Sequence, residues 1–166
     1  MNIRFLEDRD IPQIVKIHHE AVMNLGKTKY SMDVLKEGAL PVDGDAYDAA
    51  IEKELNKFHA SKNSFTFVAE DEDKGVVAFC TIHTGRSELV RIYIYPEFSG
   101  KGIGRELLSK AEKEAQNRGV TSLSMDGSLN AEGFYNKMGY TTLSYEEHTL
   151  PQGARMKCAK MTKKLS

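Results

Sequence analysis

The chain has 166 residues, of which 40% are apolar and 28% charged, the proportions of one ordinary globular domain and not of a collagenous, low-complexity or disordered chain. Its formal net charge of -1 supplies no basic field for nucleic acid or an anionic membrane, so neither is an expected partner. No stretch approaches the ~18 consecutive apolar residues of a membrane span, and the charged opening Met1 to Asp10 lacks an apolar leader core, which reads as a cytoplasmic protein.

Asn2 to Leu6 reads as a first strand. Asp8, Asp10 and Pro12 then give the acidic, proline-tolerant opening of a helix, whose apolar face is Ile11, Ile14, Val15, His18 and Val22. From Leu25 to Gly44 the pattern breaks up around Gly26, Gly38, Pro41 and Gly44, with one short helical piece near Met32 to Glu37. Asp45 opens a second clear helix in which Tyr47, Ile51, Leu55 and Phe58 form the buried stripe. The acidic set Asp43, Asp45, Asp48, Glu52 and Glu54 is then its solvated side.

Phe65 to Glu70 and Val76 to His83 are two strands joined by a charged turn, which suits a hairpin. Glu88 to Tyr95 is a third. Strict alternation puts Val90, Ile92 and Ile94 on one face and Leu89, Arg91, Tyr93 and Tyr95 on the other, and bulk on both faces marks a central strand. Pro96 ends it. After a glycine-rich turn, Ile103, Leu107, Ala111 and Ala115 recur every four residues up to a closing Gly119. Ser122 to Asp126 is a strand and Ala131 to Met138 a short helix, followed by strands Tyr140 to Tyr145 and Met156 to Lys163. The order β α α β β β α β α β β, with no repeat or linker, gives a single α/β domain over residues 1–166 on a mixed sheet.

Cys80 and Cys158 lie far apart in apolar-patterned segments and read as reduced, packed thiols. The adjacent His18 and His19 point to different sides of their helix, so no metal site is expected.

The turn Pro96-Glu97-Phe98-Ser99-Gly100-Lys101-Gly102-Ile103-Gly104 joins a strand to a helix N-terminus, where main-chain amides can converge on an anion such as a pyrophosphate. Arg105 stands where a dinucleotide fingerprint begun at Gly100 needs glycine, and Gly26-Lys27-Thr28 lacks the first glycine and the preceding strand of a Walker loop.

The run from Val90 to Leu108 resembles the acetyl-CoA motif of the GNAT superfamily of N-acetyltransferases: Arg or Gln, any two residues, Gly, any residue, then Gly or Ala. Ser99 stands where that pattern has Arg or Gln. Ser128-Leu129-Asn130-Ala131-Glu132-Gly133-Phe134-Tyr135-Asn136-Lys137-Met138-Gly139-Tyr140 resembles the second motif of the same family, at the expected distance. The resemblance implies a mixed, mostly antiparallel sheet of about seven strands flanked by about four helices. It also implies acetyl-CoA as cosubstrate and a primary amine, on a small molecule or peptide, as acceptor. Main-chain groups of Ile92, Tyr93 and Ile94 would pair with the pantetheine arm. Amides of Gly100, Lys101, Gly102, Ile103, Gly104 and Arg105 would cradle the pyrophosphate, and Asn130, with Ser128, would hydrogen-bond the cofactor or cap the helix ahead of Ala131.

By the same resemblance, Tyr135 matches the tyrosine that protonates the departing thiolate, with Phe134 left to fill the core. A phenol of pKa near 10 is protonated at neutral pH and can supply that proton. An acceptor ammonium must lose a proton before it attacks, and Glu88 is the candidate base, with His83, Asp126 or water as alternatives. A noncatalytic CoA-binding regulatory module is the alternative to an enzyme, and a homodimer is the alternative to a monomer.

Overall fold

The computed structural model describes residues 1–24 and 29–166; the Gly26-Lys27-Thr28 triplet lies outside them. Seven strands form one sheet in the order β1-β2-β3-β4-β5-β7-β6. They are β1 (Asn2–Phe5), β2 (Ser64–Asp71), β3 (Gly75–His83), β4 (Glu88–Ile94), β5 (Ser122–Ser128), β6 (Thr141–Thr149) and β7 (Arg155–Lys164). Five α-helices accompany them: α1 (Ile11–Asn24), α2 (Met32–Gly38), α3 (Gly44–Ala60), α4 (Ile103–Asn117) and α5 (Glu132–Lys137). The short piece expected near Met32 is therefore a true helix, and it raises the expected four to five. Ser31 supplies its cap, accepting the N–H of Val34 through its hydroxyl at 3.4 Å, one of the orphan donors of a first turn.

All neighbouring strands pair antiparallel except β4 and β5, which are parallel. As expected of a strand with bulk on both faces, β4 lies in the middle. One core is built on the face that carries α4 and α5, from Cys80, Ile82, Leu89, Leu107, Leu108, Leu123 and Met161. The opposite face buries Ile11, Ile14, Ile17, Val68 and Phe79 beneath α1 and α3. Among the described residues no helix is long and apolar enough to cross a membrane.

The strict alternation expected along β4 is broken. Thr81 pairs with Arg91 but Ile82 pairs with Leu89, so Val90 is an extra residue in a β-bulge. Leu89 is thereby moved to the α4 face with Ile92 and Ile94, where it is buried, while Val90 is 41% exposed. A bulge bends its strand and increases the local twist, and the effect is felt at once. The only register pair between β4 and β5 among the described residues is Glu88 with Ser124, and beyond it the two strands splay apart.

On α3 the buried positions are Ala50 and Glu54. Glu54 lies three and four residues from Phe58, Ala50 and Ile51 and so belongs to the packed stripe, which corrects its placement on the solvated side. Its carboxylate accepts from Arg91 Nη2 at 2.5 Å and from Lys57 Nζ at 2.8 Å. Burial opposes its ionisation, but Arg91 and Lys57 outweigh that and hold it below the usual carboxylate range.

Candidate active site

The glycine turn begins with Pro96–Phe98 as a 3-10 turn. Gly100 and Gly102 follow with φ of +77° and +85°, a left-handed backbone that side chains with a Cβ rarely adopt. Gly102 is the N-cap of α4 and has no side chain to cap it. The first intrahelical bond runs from Glu106 N–H to Gly102 C=O at 3.1 Å, so the N–H groups of Ile103, Gly104 and Arg105 have no acceptor within the helix. A Cβ at Gly100 or Gly102 would meet nothing within 4 Å; the space in front of the turn is open. Lys101, over the Phe98 ring at 4.7 Å, and the exposed Arg105 pair with no carboxylate among the described residues. At Gly104 the reason for glycine is packing. A Cβ there would come within 2.8 Å of Ile94 Cδ1, so its absence lets the start of α4 press against the end of β4.

The lip of the gap is the free edge of β4. Tyr95 N–H donates to Val77 C=O at 2.9 Å, and in an antiparallel pair the hydrogen-bonded residues alternate. Tyr93 and Arg91 therefore direct their main chains to β3, while the N–H and C=O groups of Ile92 and Ile94 face the gap. This removes Tyr93 from the expected main-chain set. It offers its side chain instead, in edge contact with the His18 ring at 4.5 Å between centroids.

Tyr135 projects from α5 on the far side of the gap. It is buried, 6% exposed, and Phe134 is the half-buried one, the reverse of the packing expected for the pair. Its ring lies 5.2 Å from Phe134 and 5.8 Å from Tyr140, over Gly127, where a Cβ would meet it at 3.3 Å. Burial, reinforced by the neighbouring Tyr93 and Cys80, pushes its phenol above the ordinary value. It is protonated throughout the neutral range. Asn130 is exposed, and the N-cap of α5 falls on Ala131, which has no capping side chain.

Glu88 opens β4 at the vertex of the gap, and its Oε2 accepts from Arg86 Nε at 2.7 Å. His83 accepts the N–H of Arg86 through Nδ1 at 3.1 Å, so the lone pair a base would need is engaged. Asp126 lies beyond Ser124 on β5, half-exposed, with His148 Nε2 at 3.7 Å. Asp126, Glu146 and His148 bring one ligand atom each within 4.8 Å of one another on the exposed sheet, with Lys160 Nζ 3.4 Å from Glu146.

Two residues in the stretch with no sequence period tie it to the β5–β7–β6 half of the sheet. The hydroxyl of Tyr30 accepts from Leu129 N–H and donates to Lys157 C=O, both at 2.7 Å, tying the end of β5 to β7. The Glu37 carboxylate accepts from the N–H groups of Gln152 and Ala154 in the β6–β7 turn. On its other flank the α2 segment is held by His19, whose Nδ1 donates to Leu40 C=O at 2.7 Å. Thus α2 spans from the α1 side to the β5–β7–β6 half of the sheet. Nothing local in the sequence signals these long-range ties.

The family described as the acetyltransferase (GNAT) domain matches residues 34–165. A crystal structure of a GCN5-related N-acetyltransferase from Rhodopseudomonas palustris superposes with a TM-score of 0.83 at 24% identity, over 99% of this chain and 95% of that one. The PaiA N-acetyltransferase of Thermoplasma acidophilum, solved in complex with coenzyme A, has a TM-score of 0.71 at 22% identity, over 99% of both chains. A Bacillus subtilis protein that carries an acetyltransferase name without an established activity is 34% identical over 64 residues, 39% of this chain and 42% of that relative. The chain spans less than half the length of the curated relatives it matches.

Proposed function

The chain belongs to the GNAT acetyltransferase family, and we propose that it transfers an acetyl group from acetyl-CoA to a primary amine by direct attack through a tetrahedral intermediate. The observation that carries this reading is the gap between β4 and β5, bounded by main-chain donors and leading to an uncapped helix N-terminus. The donors fit the cosubstrate. Amides at the start of α4, the helix dipole, Lys101 and Arg105 would hold the phosphates, and Ile92 and Ile94 would pair with the amide groups of the pantetheine arm as an added strand does.

Acetyl-CoA, when bound, supplies an acetyl thioester. The N–H groups on the free edge of β4 would stabilise negative charge developing on the carbonyl oxygen. Tyr135, protonated at neutral pH, would donate a proton to the leaving sulfur. Glu88, oriented by Arg86, would accept the proton of the acceptor ammonium directly or through a water, because an amine of pKa around 10 is protonated at neutral pH.

The test has two arms. Acetyl-CoA raises the melting temperature, as any ligand selective for the native state must, and a panel of polyamines, amino acids and peptide N-termini is screened for acceptor-dependent release of free thiol. Binding without release for any amine would favour a noncatalytic CoA-binding module; absence of binding would overturn both.

A further inference from the structure

A cavity of about 520 Å³ lies on the α1 and α3 face, at the end of the sheet where β4 begins. It is remote in the chain order of β4 from the glycine turn, which follows that strand's other end. Its floor is apolar, formed by Leu6, Ile11, Ile14, Phe58 and the bulged Val90, and its rim carries Lys57, His83, Arg86 and Arg91.

The charged hydrogen-bonding groups left over at this cavity are of one kind. Both carboxylate oxygens of Glu54 are taken, by Lys57 and Arg91, and the hydroxyls of Thr66 and Thr81 bond each other at 2.8 Å. The donors are not exhausted. Arg86 uses Nε on Glu88, and among the described residues its two Nη groups have no acceptor. His83 accepts at Nδ1, so in its neutral form Nε2 bears a hydrogen. Lys57 has two further hydrogens. Counting Glu54 and Glu88 against Lys57, Arg86 and Arg91, the mouth of the cavity carries one net positive charge.

We propose that this cavity binds a small monocarboxylate with an apolar body of about six to ten carbons, its chain on the Ile14, Phe58 and Val90 floor and its carboxylate on the Arg86, His83 and Lys57 rim. An apolar cleft with a few convergent polar groups is the usual form of a small-molecule site. Here every charged group still free is a donor, and the Ser61 and Ser64 hydroxyls of the lining can turn to donate as well, which favours a ligand that accepts. The bulge supplies the site as well: it turns the Val90 side chain out of the packed core and into the cavity.

The cavity meets the proposed acetyl-CoA gap at the Arg86–Glu88 pair, so the experiment uses the full chain without acetyl-CoA. Octanoate, octanol and octylamine are titrated calorimetrically, and the 13C-labelled methyl groups of Ile11, Ile14 and Val90 are followed by NMR. Octanoate binds saturably, at least tenfold more tightly than octanol, while octylamine binds more weakly than either. Affinity rises roughly fourfold per methylene from hexanoate to decanoate until the floor is covered. Arg86→Gln and Lys57→Gln each lower octanoate affinity about fivefold and leave octanol unchanged. Val90→Trp, which fills the cavity without touching the rim, abolishes binding of both. Equal affinities for octanoate and octanol, no saturation by octanoate up to ~10 mM, or methyl shifts confined to other residues would each overturn the proposal.

Discussion

Glu88 and Ser124 face one another as the single register pair between β4 and β5 among the described residues. Ser124 reinforces the junction by donating its N–H to Ser87 C=O at 2.9 Å. The bulged Val90 comes two residues later, and the bend it introduces carries Ile92 and Ile94 away from β5. Their main-chain groups then lack the strand partner that a central position would provide. Buried polar groups left without partners cost about 1 to 3 kcal/mol each, so this edge is built either for solvent or for a ligand that supplies donors and acceptors at strand spacing.

At the glycine turn, the proposed phosphate site can be separated from backbone strain. Gly102 and Gly119 flank α4 with φ of +85° and +86°, and a Cβ at either meets nothing within 4 Å. Gly102→Val and Gly119→Val therefore carry the same left-handed penalty, about 1 to 2 kcal/mol. Both lower the melting temperature by a few degrees. Only Gly102→Val loses the further rise produced by acetyl-CoA. Equal responses of the two variants to acetyl-CoA in a thermal-shift titration would place the pyrophosphate elsewhere.

For Tyr135 the core position and the proposed acid role make different demands. Tyr135→Phe keeps the ring over Gly127 and against Tyr140, so cofactor affinity and stability change little, while turnover falls by the ~10² to 10⁴-fold typical of a lost general acid. Gly127→Ala moves the ring without removing the hydroxyl, because the new methyl would sit 3.3 Å from it. That variant slows turnover roughly tenfold through misplacement. Single-turnover rates with an acceptor for which chemistry is limiting decide the matter: unchanged rates in Tyr135→Phe would leave it a packing residue only.

Glu88→Gln removes the proposed base but retains a hydrogen-bonding partner for Arg86. Its kcat/KM should be lowest relative to the parent near neutral pH and should converge on it in alkali, where solution deprotonates the amine. The pH profile of both proteins is the measurement. A uniform deficit at all pH values would make Glu88 a positioning residue for the acceptor, and no deficit would pass the role to Asp126 or water, since His83 has its Nδ1 engaged.

Much of this arrangement is legible in the chain. The β-branched run ending at Pro96, the glycines that follow and the four-residue period from Ile103 are local features, and they locate β4, the turn and α4 because local sterics dictate each. The bulge is not legible, since Leu89, Val90 and Arg91 alternate as a regular strand would; only the mismatch with β3 reveals it. Glu54 could have been found from its spacing to Ala50, Ile51 and Phe58, but its charge argued for solvent, and the compensating Arg91 lies 37 residues away. The ties made by Tyr30 and Glu37 cross 99 to 127 residues of sequence from a segment with no periodicity, so no local pattern announces them.

His18, which packs against Tyr93 under α2, makes the fold sensitive to mild acid. Burial, assisted by the nearby positive charge of Arg91, lowers its pKa from the ordinary 6.5 to about 4, although Glu54 acts in the opposite direction. An imidazole depressed in the folded state binds its proton more readily when unfolded, so its contribution to stability is complete above pH 6.5 and is lost as pH falls toward 4. Full protonation costs up to about 3 kcal/mol of folding stability. The carboxylates of Asp10 and Glu54 are also depressed; burial opposes this in both, but Arg4 in one case and Arg91 in the other prevail. Their losses begin as pH falls into the ordinary carboxylate range of the unfolded chain and are complete only below the depressed folded values. Urea unfolding at half-unit steps from pH 7.5 to 4 therefore shows a decline in stability through the imidazole window in the parent protein. In His18→Phe, which retains an aromatic contact with Tyr93, the curve is flat until the carboxylates titrate. A decline of equal size in both proteins would assign the pH sensitivity to groups other than His18.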